Sequence, residues 1–294
     1  MFRLKERWNM LIAGVDAGRS ETKVVTDTQK FKFPSKILPF YEHGGEDVLK
    51  DENDMVVELL EPGSFEGQKW FVGEVTEFTE FGVESQRTEQ EKATEHFKIF
   101  TLTALYRLGA MDEQPCLIGT GVPYIRFKEW GPLVKNILEK KHRIRVYKRN
   151  GFQEERIIHI ANAFVIPEGM GVFYDDPTDQ EIGIGELGSV TMNYIRLKKK
   201  RVMPGYSGST EWGCDNLPPG VADTPQDIAA LVVAQFKGKK WPKDLPIRLS
   251  GGKTEKIIEH VRQEYPNTIA VSDPSFGNAR GFYKIARAKA KQLV

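Results

Sequence analysis

The chain has 294 residues, 40% of them hydrophobic, enough for one large or two medium domains with a substantial core. Its 42 basic and 41 acidic residues leave a net charge of +1, which gives no electrostatic footprint for direct nucleic-acid binding. Cys116 and Cys214 stand in no metal-ligand spacing and form no disulfide framework, and no apolar run approaches the ~18 residues of a membrane span, so the expectation is a soluble cytoplasmic protein with no membrane contact.

Residues 1–9 form a short basic arm with Phe2, Leu4 and Trp8, read as a solvated tail with one aromatic tucked onto the body; an interfacial anchor or subunit contact is the alternative. The apolar stretch after Arg7 is stopped by Asp16 before it can serve as a signal peptide. Residues 11–26 then combine an apolar run ending in Asp16, the small turn Ala17-Gly18-Arg19-Ser20, and a β-branched run around Lys23. This pattern predicts a β-hairpin. Gly18 lets backbone approach a ligand, and successive turn N–H groups form a concavity suited to phosphate. Asp16, last on its strand, is placed to face the Mg²⁺ of a nucleotide through water. An ordinary hairpin fits the same stretch.

Between residues 30 and 87 the pattern is strand-like, with turn formers Gly44-Gly45 and Pro62-Gly63, and predicts a small inserted β subdomain. A helix follows, with Thr88 and Glu91 as a capping box, Gly109 just past its end, and Ala93, Phe97, Phe100, Ala104, Leu105 and Leu108 on one face. His96, near that face, reads as a satisfied boundary residue rather than a ligand. Residues 117–123 predict a buried strand ending in a glycine-rich turn, followed by a helix opened by Pro132. An extended run over 157–166, containing His159, stops at Pro167-Glu168-Gly169.

Residues 182–195 repeat the opening plan: apolar run, Glu186, the turn Gly188-Ser189, and a β-branched strand. Two such hairpins far apart imply two similar domains closing on one nucleotide. The basic run over 198–201 reads as a solvated hairpin turn, with a partner patch as the alternative. The loop over 204–210, with Gly208 and Ser209, either touches a ligand or is plain connection. A helix from Thr224, with Pro225 at its first position, ends before Gly238. Then a strand over 245–249, the turn Ser250-Gly251-Gly252 and a helix over 254–265 form a second unit placed against nucleotide. A strand over 268–271 and a helix over 278–292 close the chain, and the alternation of strands and helices argues an α/β fold.

Five stretches in this order resemble the bacterial plasmid-segregation actins of the ParM and AlfA type, within the superfamily of actin, the heat-shock-70 ATPase domain and the sugar kinases. The first phosphate stretch resembles Gly14-Val15-Asp16-Ala17-Gly18-Arg19-Ser20 with Lys23, and the first connecting stretch Val165-Ile166-Pro167-Glu168-Gly169-Met170-Gly171. The second phosphate stretch resembles Gly185-Glu186-Leu187-Gly188-Ser189-Val190-Thr191, the adenosine stretch Leu249-Ser250-Gly251-Gly252, and the second connecting stretch Asn278-Ala279-Arg280-Gly281-Phe282.

The resemblance implies two actin-like, ribonuclease H-like domains around a nucleotide cleft: domain I over 1–166 with the small β subdomain about 30–87, domain II over 167–277, and a C-terminal helix over 278–294 returning to domain I. It implies that ATP or GTP is bound with Mg²⁺, that Asp16 and Glu186 hold the metal shell, and that the turns around Gly18 and Ser189 cradle phosphates. Lys23 reaches the phosphates, and Glu168, the implied catalytic residue, positions the attacking water. The implied function is a filament that hydrolyses nucleotide and segregates plasmid DNA through a DNA-binding adaptor at a plasmid centromere. Three departures stand out: Glu186 replaces the usual Asp, Ser189 a usual Gly, and Asn193 a common acid. The interval from Glu186 to Gly251 is also too short for the outer subdomain of the second domain, as in the AlfA branch. A small-molecule kinase of the same superfamily and a membrane-associated scaffold of the cell-division or pilus type are the rival readings.

Overall fold

Side-chain alternation along the first strand decides what packs on each side of the main sheet. The computed structural model describes residues 10–41, 45–63, 65–78 and 94–292. Leu11–Ala17 (β1) and Glu21–Val25 (β2) pair antiparallel, and Lys30–Pro34 (β3) continues the ladder on β2. Ala13 and Val15 enter a core with Phe97, Ile99 and Leu102. Gly14 lies on the opposite face, where a Cβ would collide with the Ala279 carbonyl of the last helix.

Ile37–Pro39 (β4), Met55–Leu59 (β5) and Lys69–Val72 (β6) form an antiparallel ladder in the order β5-β6-β4. The helix Glu95–Arg107 (α1) starts behind Thr94, whose side chain accepts a hydrogen bond from Phe97 N at 3.3 Å. It ends at Gly109, at φ +77. The expected capping box of Thr88 and Glu91, like the residue 1–9 arm, lies outside the described residues. His96 packs edge-on against Phe65, and burial lowers its pKa.

Pro115–Val122 (β7) runs parallel to β1. The next helix, Phe127–Leu138 (α2), does not open at Pro132 but carries it inside. The turn Tyr124–Arg126 feeds directly into it, and the buried stripe Trp130, Val134, Leu138 begins before the proline, so packing sets the start. Lys141–Tyr147 (β8) and Gln153–Pro167 (β9) complete the first sheet, in the order β3-β2-β1-β7-β9-β8-β5-β6-β4. The β5-β6-β4 ladder is thus continuous with the main sheet through the antiparallel β5 and β8 pair.

Beside that pair lies a buried ionic cluster. Lys98 Nζ stands 2.7 Å from Glu61 Oε1 and 2.6 Å from Glu95 Oε2, while His142 places Nδ1 3.1 Å from Glu61 and Nε2 2.8 Å from the Leu138 carbonyl.

The short helix Met170–Asp175 (α3) leads to the second hairpin, Ile182–Leu187 (β10) and Met192–Lys198 (β11). The basic run is the turn from β11 to Arg201–Val202 (β12), with Lys199 and Lys200 at φ 50 and 61, the left-handed pair that suits a two-residue hairpin. Gly208–Ser209 (β13) adds to β11. Pro225–Gly238 (α4), capped by Thr224, precedes Ile247–Gly251 (β14), Thr254–Arg262 (α5) and Thr268–Ala270 (β15). Ile228, Val232 and Phe236 of α4 share a core with Ile257 and Val261 of α5.

The second sheet has the order β12-β11-β10-β14-β15. With β13 as a sixth strand on β11, the five in that order repeat the order and directions of β3-β2-β1-β7-β9: two antiparallel pairs, then two parallel ones. Gly277–Ala290 (α6) returns to the first half, packing on β1, β7 and α3. Contact there is backbone to backbone, since a Cβ on Gly119 would meet the Phe282 carbonyl and one on Gly281 the Gly171 carbonyl.

Candidate functional site

The two hairpins carry the same turn. Gly18 N donates to the Glu21 carbonyl at 3.1 Å, and Gly188 N donates to the Thr191 carbonyl at 2.9 Å. At both glycines an added Cβ would lie 2.9 Å from that same carbonyl, too close for any larger residue. Register is shared as well: Asp16 faces Lys23 on the neighbouring strand, and Glu186 faces Asn193.

Both turns open into one cavity of about 1120 Å³ between the sheets. Asp16, Gly18, Arg19, Ser20 and Lys23 line it from the first half. Glu186, Gly188, Ser189, Ser209, Ser250, Gly251 and Gly252 line it from the second, and Glu168 from the connection between them. Two residues of the expected set do not reach it. Ala17 is buried in the hairpin, and a Cβ on Gly208 would run into the Tyr194 hydroxyl, so that backbone faces a side chain rather than the cavity. Ser250 borders the cavity while its hydroxyl donates to the Pro274 carbonyl at 2.7 Å. Gly251 sits at φ +110, pressed against the Leu187 carbonyl, which makes the turn tight.

Glu168, Glu186 and Asp16 are all buried at the cavity floor. Asn193, fully enclosed between two of them, donates from Nδ2 to Glu186 Oε2 at 2.8 Å and to Glu168 Oε2 at 3.2 Å. Its Oδ1 accepts from Ser209 Oγ at 2.6 Å and from Tyr124 N at 3.1 Å, so its hydrogen-bonding capacity is filled and both halves of the molecule meet on it. Burial first, then the Glu168 and Asp16 carboxylates, raise the Glu186 pKa far above the usual carboxylate range, against the Asn193 amide and the Lys23 charge. The acid opposite a lysine lies in the first hairpin, and the acid opposite an amide in the second.

Glu168 is held by its own backbone, whose N–H donates to the Val122 carbonyl at 2.8 Å, and Gly169 N donates to Asn278 Oδ1 at 3.0 Å. The start of α6 therefore fixes the turn that presents Glu168. Asp215, Thr210, Lys253, Lys256 and Asn216 also line the cavity and were not in the expected set. Lys253 directly follows the Ser250-Gly251-Gly252 turn and was within reach of sequence reasoning. The segment over 210–216 has no strand or helix periodicity that marks it, and its one glycine, Gly213, stands in no recurring motif.

Among the described residues no helix is long and apolar enough to cross a membrane. No curated protein matches the chain by sequence. Solved structures do match in fold. An AlfA filament bound to AMPPNP superposes with a TM-score of 0.73 at 19% identity, covering 97% of this chain and 99% of that one. The apo pSK41 ParM protein gives 0.74 at 15% identity over 97% and 99% of the two chains, and the archaeal actin homolog Ta0583 gives 0.74 at 18% over 95% and 100%. The sequence profile of the actin like proteins N terminal domain matches residues 14–171, more than half of the chain, and the chain therefore belongs to the actin-like protein family.

Proposed function

We propose that the cleft binds a nucleoside triphosphate, ATP or GTP, together with Mg²⁺, and that the chain hydrolyses it on assembling into filaments that segregate plasmid DNA. The observation that carries this reading is the meeting of two like turns and their acids in one cavity. The turn amides following Gly18 and Gly188 hold phosphates, Lys23 supplies positive charge beside them, and Glu168 orients the attacking water. The Ser250-Gly251-Gly252 turn faces the nucleoside.

The donor set fits Mg²⁺. Asp16 and Glu186 offer hard oxygens on a buried and predominantly anionic floor, and among the described residues no three His, Cys, Asp or Glu side chains form a complete cage. One or two carboxylates, with water and phosphate completing the shell, are what Mg²⁺ takes. When bound, the ion neutralises charge on the phosphates.

Self-association by a head-to-tail contact is supported by the match to the AlfA filament bound to AMPPNP. A DNA-binding adaptor at a plasmid centromere, rather than the nearly neutral chain itself, then holds the cargo in the cytoplasm. With this reading goes the division into domain I over 1–166, domain II over 167–277 and a returning helix over 278–294.

Sedimentation tests the proposal. Protein with ATP or GTP and Mg²⁺ pellets as filaments visible by electron microscopy and releases phosphate, while Lys23→Ala does neither. Wild-type protein that stays in the supernatant with every nucleotide overturns the filament reading, and a phosphorylated metabolite in place of free phosphate supports the kinase rival.

A further inference from the structure

One side chain ties the two turns together. Ser20 Oγ, in the first turn, donates to Asp215 Oδ2 at 2.7 Å, across a sequence separation of 195 residues. Asp215 is itself fixed to the second turn, because its N–H donates to the Ser189 carbonyl at 2.7 Å and the Cys214 N–H donates to the Gly188 carbonyl at 2.9 Å. Gly213 brings this segment in close: a Cβ there would lie 2.6 Å from the Ser189, Val190 and Thr191 backbone. On its far side Lys253 Nζ donates to the Cys214 carbonyl at 3.0 Å and to Asp223 at 2.5 Å, which anchors the segment beside the third glycine turn. Asp215 and Ser20 both line the cavity.

We propose that Asp215 is a strap across the mouth of the cleft, a carboxylate holding the two turns together that an incoming polyphosphate displaces from Ser20. This rests on the nucleotide reading above and deepens it. A polyphosphate seated on both turns brings its own anionic oxygens to the Ser20 hydroxyl, and two anions compete for one donor. The acceptor side of the strap is set by backbone bonds to the second turn, so release frees the first turn and leaves the second in place. The strap therefore slows entry of nucleotide and weakens its binding by competing for Ser20.

Two measurements test it. In protein without nucleotide, Asp215→Ala raises amide hydrogen exchange over residues 17–22, a segment remote in sequence, and Ser20→Ala raises it over 213–216. With a fluorescent ATP or GTP analogue and Mg²⁺, Asp215→Ala raises the association rate by about tenfold without raising the dissociation rate, the effect of removing one charge-assisted hydrogen bond that competes with the nucleotide. Asp215→Asn, which can still accept from Ser20 but carries no charge, gives a smaller rise. Exchange confined to the mutated turn in each variant overturns the strap whatever the protein binds. An unchanged association rate in Asp215→Ala, with nucleotide still bound, overturns its gating role. Absence of binding in the wild type, with the exchange coupling present, removes the nucleotide reading and leaves the strap standing.

Discussion

Asn193 faces Glu186 across neighbouring strands, its amide 2.8 Å from the carboxylate, where the equivalent position of the first hairpin places Lys23 opposite Asp16. The same amide reaches Glu168, so one neutral side chain separates two buried acids. Asn193→Asp removes both donors and adds a fourth carboxylate beside Glu168, Glu186 and Asp16. We expect it to cost about 3 kcal/mol or more at pH 7.5 in urea unfolding, because a buried charge is left without a partner. Wild-type stability in that variant would contradict the geometry.

Glu186 also sets a pH dependence. Burial and then its acidic neighbours raise its pKa from the ordinary 4.5 to about 8, so the folded protein holds a proton that the unfolded chain releases. Stability from this group is full below about pH 4.5 and is lost as pH rises toward 8. In buffer containing a chelator, the unfolding midpoint in urea is expected to fall from pH 5 to pH 8, and Glu186→Gln to flatten that slope. A slope identical in both proteins would assign the dependence to other groups.

The buried cluster around Lys98 acts in the opposite direction. Burial alone would raise the Glu61 pKa, but hydrogen bonds from His142 and Lys98 override it and hold it at about 2. A depressed acid contributes above its unfolded value, so this share of stability is present above about pH 4.5 and lost as pH falls toward 2. Lys98→Met leaves Glu61 and Glu95 without their shared cation in a site where Lys98 is 1% exposed. The expected loss is about 3 to 5 kcal/mol at pH 7, read by chemical denaturation. A loss below about 1 kcal/mol would place the pair with surface ion pairs instead.

At Gly281 the constraint is steric. A Cβ there collides with the Gly171 carbonyl, where α6 crosses α3 directly behind Glu168 and Gly169. Gly281→Ala is expected to destabilise by more than about 3 kcal/mol and to lower the melting temperature by several degrees, since backbone rather than a flexible side chain must move. Gly205→Ala, which meets nothing within 4 Å, is the matched control and should melt with the wild type.

Residues 11–26 and 182–195 announced both hairpins, their turn glycines and their acids, because strand alternation and turn chemistry are written within a few neighbouring positions. The same local signals placed the Thr224 cap and the glycine after α1. Tertiary structure decided what such signals do not reach: that the β5-β6-β4 ladder joins the main sheet through β8, that burial of Trp130 starts α2 ahead of Pro132, and that Gly208 turns toward Tyr194. It also brought Asp215 to Ser20 and set Asn193 between Glu168 and Glu186. Pairings of that kind join stretches far apart in the chain, and their partners are selected by packing and by satisfaction of buried polar groups, which no short window of residues contains.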